Sequence, residues 1–253
     1  MLSIIIPALN EADNITNLLQ HLVDSSTATN ITDISVIDGG STDGTQEAVS
    51  SFFAEGYKVQ LIPSEKGRAR QMNTGAKNSN GDVLYFLHAD SFPPKNFDSY
   101  ILTEIQKDNL AGCFRMQFDN NHWWLRLASW LTQFSWRACR GGDQSQFITR
   151  TLFNEIEGFD ETFVIYEDNI LINELYERNE FVVINEKLQS SARLYEERGI
   201  WYIQYHFWTI YVKKWLGADA NELFAYYCKH IRRKPPKAIA NSATKPTEIL
   251  TDK

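Results

Sequence analysis

Leu2-Ser3-Ile4-Ile5-Ile6-Pro7-Ala8-Leu9-Asn10-Glu11 is the stretch that decides the fold. Residues 2–6 form a short continuous apolar run, the pattern of a strand covered on both faces. Ile15, Leu18, Leu19, Leu22 and Val23 then recur at spacings of three, one, three and one, as an amphipathic helix requires. The order repeats along the chain. Residues 34–37 read as a second strand, followed by Gly39-Gly40-Ser41-Thr42-Asp43-Gly44 and a helix from Thr45 to about Phe53. Residues 59–62, 69–77 and 83–87 continue as strand, helix and strand. This alternation predicts right-handed βαβ crossovers and a mainly parallel sheet with helices on both faces, an α/β fold. Ligands in such sheets bind beyond the carboxyl ends of the strands. The polar exits Pro7 to Glu11, Asp38-Gly39-Gly40 and His88-Ala89-Asp90 are therefore expected to meet in one crevice.

The rest of the chain sets bounds on that reading. It has 253 residues, 25 Lys+Arg against 32 Asp+Glu for a net charge of −7, and 43% hydrophobic residues. An acidic chain without a long basic block is not expected to bind nucleic acid, where affinity comes from neutralised phosphates. Cys113, Cys139 and Cys228 are too few and scattered for a disulfide framework or a zinc site. The N-terminus has no basic region and Pro7 cuts its apolar run short, so no secretory signal is read and a cytoplasmic location is expected. Residues 200–216 come closest to a membrane span, but Gln204, His206, Lys213 and Lys214 interrupt them.

After about residue 110 the pattern changes. Trp123, Leu127, Trp130, Leu131 and Phe134 follow helical spacing, residues 146–148 suggest a strand, and a helix is expected over 169–178. The chain beyond Arg232 lacks large apolar residues and reads as disordered. No interdomain linker is evident. One domain is expected over 1–232, with a nucleotide-binding half to about residue 110, an acceptor-side half over about 111–232, and a disordered tail over 233–253.

Standard phosphate loops fail to fit. Gly39 and Gly44 have P-loop spacing, yet Thr45-Gln46 follow where Lys-Ser/Thr is needed, and Ser41 stands where a dinucleotide fingerprint needs its third glycine. Asp38 beside Gly39 and Gly40 suits a carboxylate that accepts a hydrogen bond from a base or ribose; a capped turn is the plainer reading. Asp90, delivered by five apolar residues, suits a hard divalent cation shared with substrate phosphates, and His88 points to the same side of an extended chain. Lys66, Arg68 and Arg70 at a helix start oppose the macrodipole unless an anion such as diphosphate stands near; a solvated basic face is the alternative. Glu167 and Asp168 precede a helix, and one of them suits a general base.

These pieces together resemble glycosyltransferase family 2 proteins of the GT-A fold. Seven segments carry the resemblance in order over about residues 2–180: the opening stretch from Ser3 to Glu11, Val36-Ile37-Asp38-Gly39-Gly40-Ser41-Thr42-Asp43-Gly44-Thr45, Lys66-Gly67-Arg68-Ala69-Arg70-Gln71-Met72-Asn73-Thr74-Gly75-Ala76, Leu87-His88-Ala89-Asp90, Gly142-Asp143-Gln144, Gly158-Phe159-Asp160-Glu161 and Glu167-Asp168. The Lys66 segment and His88 look most like the bacterial "transferase 2" subgroup associated with radical-SAM and selenium-related domains. The resemblance implies a Rossmann-like GT-A sheet and a nucleotide-diphosphate-sugar donor, UDP-sugar favoured. It places Pro7, Ala8, Asn10, Glu11, Asp38, Gly40, Lys66, Arg68, Arg70, His88, Ala89, Asp90 and Asp143 at the donor, with Asp90 holding Mn²⁺ or Mg²⁺. Asp168 becomes the general base of an inverting transfer to an acceptor hydroxyl. Two departures stand out. His88-Ala89-Asp90 replaces the Asp-X-Asp of many members, and Gln189 to Tyr195 departs from a Gln-x-x-Arg-Trp motif, leaving Arg193 as a candidate diphosphate contact.

The aromatic segments bear on the acceptor. Trp123, Trp124, Trp130 and Trp136, and later Trp201, Tyr202, Phe207, Trp208, Tyr211 and Trp215, exceed what a strand core needs. Helix packing within or between subunits of a homo-oligomer is the plainer reading; peripheral contact with anionic lipid at the inner membrane face, and with it a lipid-linked acceptor, is the other. Two further functional readings are a nucleotidyltransferase using the same crevice and a non-catalytic nucleotide-sugar sensor or membrane-associated scaffold.

Overall fold

The computed structural model describes residues 1–141 and 144–232. Its strands are β1 (Leu2–Ala8), β2 (Ile31–Asp38), β3 (Val59–Pro63), β4 (Val83–Phe86), β5 (Ser91–Phe92), β6 (Ala111–Phe118), β7 (Gln146–Thr149) and β8 (Val182–Ser190). They form one sheet in the order β3-β2-β1-β4-β7-β6-β8-β5. The first four in that order run parallel, with Ala8 beside Asp38 and Ile5 beside Phe86. Direction reverses at β7, which lies antiparallel to both β4 and β6, before β6 and β8 pair in parallel. The α/β sheet expected from the alternation is present, and its reversal at β7 places the end of β4 at a topological switch point.

Alternation along β1, with both faces covered, explains why its sequence is apolar apart from Ser3. Ile4 and Ile6 enter one core with Leu18, Leu19 and Leu22 of α1 (Ala12–Ser25), while Ile5 enters the other with Ala69, Met72 and Ala76 of α3 (Arg68–Asn78). α3 sits tightly on the strands: a Cβ added at Gly75 would meet Ile5 Cγ2 at 2.4 Å. α2 (Thr45–Ser51) packs against α1 and β3 with Val49 in the first core, and α4 (Phe97–Gln106) packs under Tyr85 through Phe97. A third core forms from Leu125 of α5 (Trp123–Leu131), Tyr195 of α8 (Arg193–Arg198), Ile203 and Ile210 of α9 (Ile200–Trp215), and Leu223 of α10 (Ala220–His230). The remaining helices are α6 (Arg150–Glu155) and α7 (Glu167–Glu177).

Sequence reading differs from the structure in three respects. α4, β6, β8 and α10 carry no period strong enough to read; β8 contains Asn185-Glu186-Lys187 at its centre, and only its pairing with β6 identifies it as a strand. Glu167 and Asp168 do not precede the helix but form the first turn of α7, entered through Tyr166 at φ 73°. Arg193, whose plainer sequence reading is an exposed arginine at a strand end, opens α8 instead. The expected tail over 233–253 lies outside the described residues.

Candidate active site

The exits of β1 and β2 are laced into one unit. Asp38, almost fully buried, accepts from the main-chain N–H groups of Gly40 at 3.2 Å and Ser41 at 3.1 Å and from Gln46 Nε2 at 2.6 Å. Gly40 has φ 91°, which favours glycine and turns the chain back over the carboxylate. Thr42 N donates to Asn10 Oδ1 at 2.9 Å, Asn10 N to Ser41 Oγ at 2.9 Å, Glu11 N to Thr45 Oγ1 at 2.9 Å, and Ala12 N to Asp43 Oδ2 at 3.1 Å. Burial acts to raise the Asp43 carboxyl, but the Thr45 hydroxyl and the Ala12 and Thr45 N–H groups outweigh it and hold it below the usual range. From beneath, Gln71 on α3 donates through Nε2 to Ala8 O at 2.8 Å and Ile37 O at 2.7 Å, clasping the two strand ends.

A second group forms where α3 and α7 meet the end of β4. Arg68 Nη1 lies 3.3 Å from Glu167 Oε1 and 3.5 Å from Asp168 Oδ2. The anion expected beside this cationic helix start is thus supplied by α7. Burial raises the Asp168 carboxyl above its ordinary range, against the pull of Arg68. Burial, with the Arg68 charge added, pushes His88 down to about 3, so its imidazole is neutral at physiological pH. His88 and Asp168 line a cavity of about 10 Å³ with Met72, Phe86, Ser145 and Gln146, room for about one water-sized group. Gln146 is buried in β7, and neither its Nε2 nor its Oε1 has a hydrogen-bond partner among the described residues.

A third group lies on the other side of Asp90. Arg193 Nη2 is 3.7 Å from Glu11 Oε1 and 4.0 Å from Asp90 Oδ2, joining the loops after β1 and β4. Asp90 and Arg193 line a cavity of about 150 Å³ with Asn14, Asp119 and Ser191. Asp119 Oδ1 accepts from Ala192 N at 2.7 Å. Among the described residues no group of three or more His, Cys, Asp or Glu side chains is arranged to hold a metal. One half-exposed carboxylate beside an open cavity does fit a hard cation whose other ligands are phosphate oxygens and water.

Contacts therefore run around the carboxyl edge of the sheet from the Asp38 loop through Asn10 and Glu11 to Arg193 and Asp90, with His88, Arg68 and Asp168 beyond. Pro7 and Ala8 pair in register with Ile37 and Asp38, but Ala8 and Ala89 are core residues and present main chain rather than side chain to this edge. Lys66 stands exposed before α3. Arg70 turns aside, 2.5 Å from Glu65 Oε2 and 3.8 Å from Glu161 Oε2. Asp143 lies outside the described residues. Sequence reasoning passed over Gln71 and Gln146; Gln71 stood inside a quoted motif, whereas Gln146 carries no signal until its burial is known.

Residues 3–173 match the profile of glycosyl transferase family 2, and the chain belongs to that family. Glycosyltransferase AglE of Haloferax volcanii is 32% identical over 93 residues, covering 36% of this chain and 31% of that protein. A dolichyl N-acetyl-alpha-D-glucosaminyl phosphate 3-beta-D-2,3-diacetamido-2,3-dideoxy-beta-D-glucuronosyltransferase of Methanococcus voltae is 28% identical over 119 residues, 44% of this chain and 37% of that protein. The chain thus matches about a third of the length of each of these relatives. Among solved structures, the mannosyltransferase PcManGT of Pyrobaculum calidifontis, in complex with GDP-Man and Mn²⁺, has a TM-score of 0.64 at 17% identity, covering 92% of this chain and 65% of that one. TarS 1-349 of S. aureus, in complex with UDP-GlcNAc, has a TM-score of 0.62 at 18% identity, covering 75% and 58%. These likenesses establish the GT-A fold.

Proposed function

We propose that this chain is an inverting glycosyltransferase that moves a sugar from a nucleotide-diphosphate-sugar, UDP-sugar favoured, to an acceptor hydroxyl with help from Mn²⁺ or Mg²⁺. The observation that carries the reading is a buried Asp168 carboxylate, braced by Arg68, on a small cavity shared with His88, while Asp90, two residues on, lines a second cavity. Family membership supports sugar transfer, and fold neighbours with UDP-GlcNAc and with GDP-Man and Mn²⁺ support the donor and ion classes.

In this reading the Asp38 loop receives the nucleoside, with a lone pair of Oδ1 left for a base N–H. Pro7, Ala8, Asn10, Glu11 and Gly40 wall that pocket, and Asp143 adds to the donor side. Arg193 and Lys66 face the diphosphate, while Arg68 holds the base and Arg70 steadies the turn before α3. Asp90 would supply the protein's carboxylate to a divalent ion, which when bound would neutralise charge on the departing diphosphate, and His88 and the Ala89 main chain add to the donor side. Asp168 takes the proton of the acceptor hydroxyl as its oxygen attacks the anomeric carbon from the face opposite the diphosphate. Burial keeps Asp168 basic enough for that task, and Arg68 keeps the carboxylate aimed. Gln146 is placed to hold a substrate hydroxyl inside the same cavity.

Residues 1–232 act as one domain in this proposal, in the cytoplasm, with a likeness to the transferase 2 subgroup. The test is Asp168→Asn with product analysis. The variant is expected to retain nucleotide-sugar binding in a thermal-shift screen while transfer falls by about 10²–10⁴-fold, the usual range for a general base. Persisting transfer would remove Asp168 from the mechanism. Release of pyrophosphate instead of nucleoside diphosphate would identify nucleotidyl transfer, and no turnover of any donor by the wild type would identify a sensor.

A further inference from the structure

α9 has two unlike faces. Ile203, His206 and Ile210 are buried. On the opposite side Trp201, Tyr205, Trp208, Val212 and Trp215 are 51%, 62%, 47%, 51% and 84% exposed, at spacings of four, three, four and three that stack them in one stripe. α5 repeats the device with exposed Trp123, Leu127 and Trp130. The two stripes join: the rings of Trp123 and Trp201 lie 5.8 Å apart, and Trp124 bridges Trp201 at 5.3 Å and Trp208 at 5.6 Å. An apolar surface this broad on a single chain marks an interaction face.

Chemistry selects the occupant. Although the chain carries a net charge of −7, α5 and α9 contain Arg126, Lys213 and Lys214 and no acidic residue. Arg126 is exposed on α5, and exposed Lys229 and Arg232 stand on α10 and just beyond it; Lys213 and Lys214, on the last turn of α9, turn inward over the rings of Tyr226 and Phe163. A helix seam made for a second copy favours Leu and Ile knobs, whereas this face presents indole and phenol rings. Trp and Tyr bordered by basic residues suit the boundary between acyl chains and headgroups. Among the described residues no helix is long and apolar enough to cross a membrane, so contact is confined to the surface. We propose that the α5–α9 face binds the surface of an anionic bilayer, laying its indole rings at headgroup depth with the exposed Arg126 of α5 toward lipid phosphates.

The experiment is co-sedimentation of the full chain with vesicles of phosphatidylglycerol and phosphatidylcholine, and with vesicles of phosphatidylcholine alone, alongside tryptophan emission. Binding to the anionic vesicles with a blue shift is expected, at least tenfold tighter than to the neutral ones and weakened by salt. Trp130→Ser/Trp215→Ser, at two exposed positions, is expected to lower that affinity at least tenfold with an unchanged circular-dichroism spectrum. Arg126→Glu tests the charge independently, with loss of the preference for anionic lipid. Failure of the wild type to bind either vesicle would overturn the proposal. So would light scattering that shows a dimer which the tryptophan variant dissociates. Asp168→Asn is expected to bind vesicles as the wild type does, so the transferase reading and this one fail separately.

Discussion

Asp168 illustrates how one side chain carries two opposite demands. Burial raises its folded-state pKa above the unfolded value, so ionising it opposes folding. The sign follows: the folded state binds the extra proton between the two values, and stability falls as pH rises through that window. Asp168→Asn is expected to melt higher than the wild type at neutral pH, with the difference closing as pH drops toward the ordinary carboxylate range; thermal melts from pH 4 to 8 read this directly. The acid limb of transfer should accordingly lie above that of an ordinary carboxylate. Gln146 makes a related trade. Its two unpartnered amide atoms each carry a desolvation cost of ~1–3 kcal/mol, so Gln146→Leu should raise stability in urea melts while lowering transfer. Unchanged transfer in that variant would separate Gln146 from substrate. Asp90→Ala is expected to abolish the Mn²⁺-dependent part of donor affinity in calorimetric titrations; equal donor affinity with and without Mn²⁺ in the variant and in the wild type would deny Asp90 its ion.

Among the elements, α3 connects fold and site. Its Gly75 face is pressed on Ile5 and Ile37, its Gln71 reaches the two strand ends, and its first residue, Arg68, meets α7. Gly75→Ala is expected to cost ~1–3 kcal/mol in equilibrium unfolding, since the added methyl must displace a packed isoleucine. A helix of this kind was legible in outline because Ala69, Met72 and Ala76 hold the helical period. What the period could not disclose is which basic side chain turns inward: Arg68 and Arg70 look alike in the sequence, yet one meets Asp168 and the other Glu65. Long-range pairing decides that, and α7 lies a hundred residues away along the chain.

At the scale of the molecule, the first half was readable because the central parallel strands β1, β2 and β4 are buried on both faces and the helices show an apolar stripe. The second half was not, because β6 and β8 are identified by their partners and by the reversal at β7 rather than by their own composition. The site shows the same division. Asp38, Asp90 and Asp168 stood out as strand-end or helix-start carboxylates, whereas Gln146 and the aim of Arg193 depend on distant packing. The aromatic rings were visible from the start; their division into a core face and an exposed stripe appears only once α9 is docked.

Gln71 clasping Ala8 and Ile37, together with the bonds that join the Asn10 and Thr42 loops, means the crevice proposed for the nucleoside is assembled before anything enters it. A donor meeting such a receptacle spends little of its affinity on ordering the host. Hydrogen–deuterium exchange should then find the amides of Gly39, Gly40, Ser41 and Thr42 slow in the empty protein and scarcely slower when nucleotide is added. A steep change there would instead describe a crevice moulded around its guest.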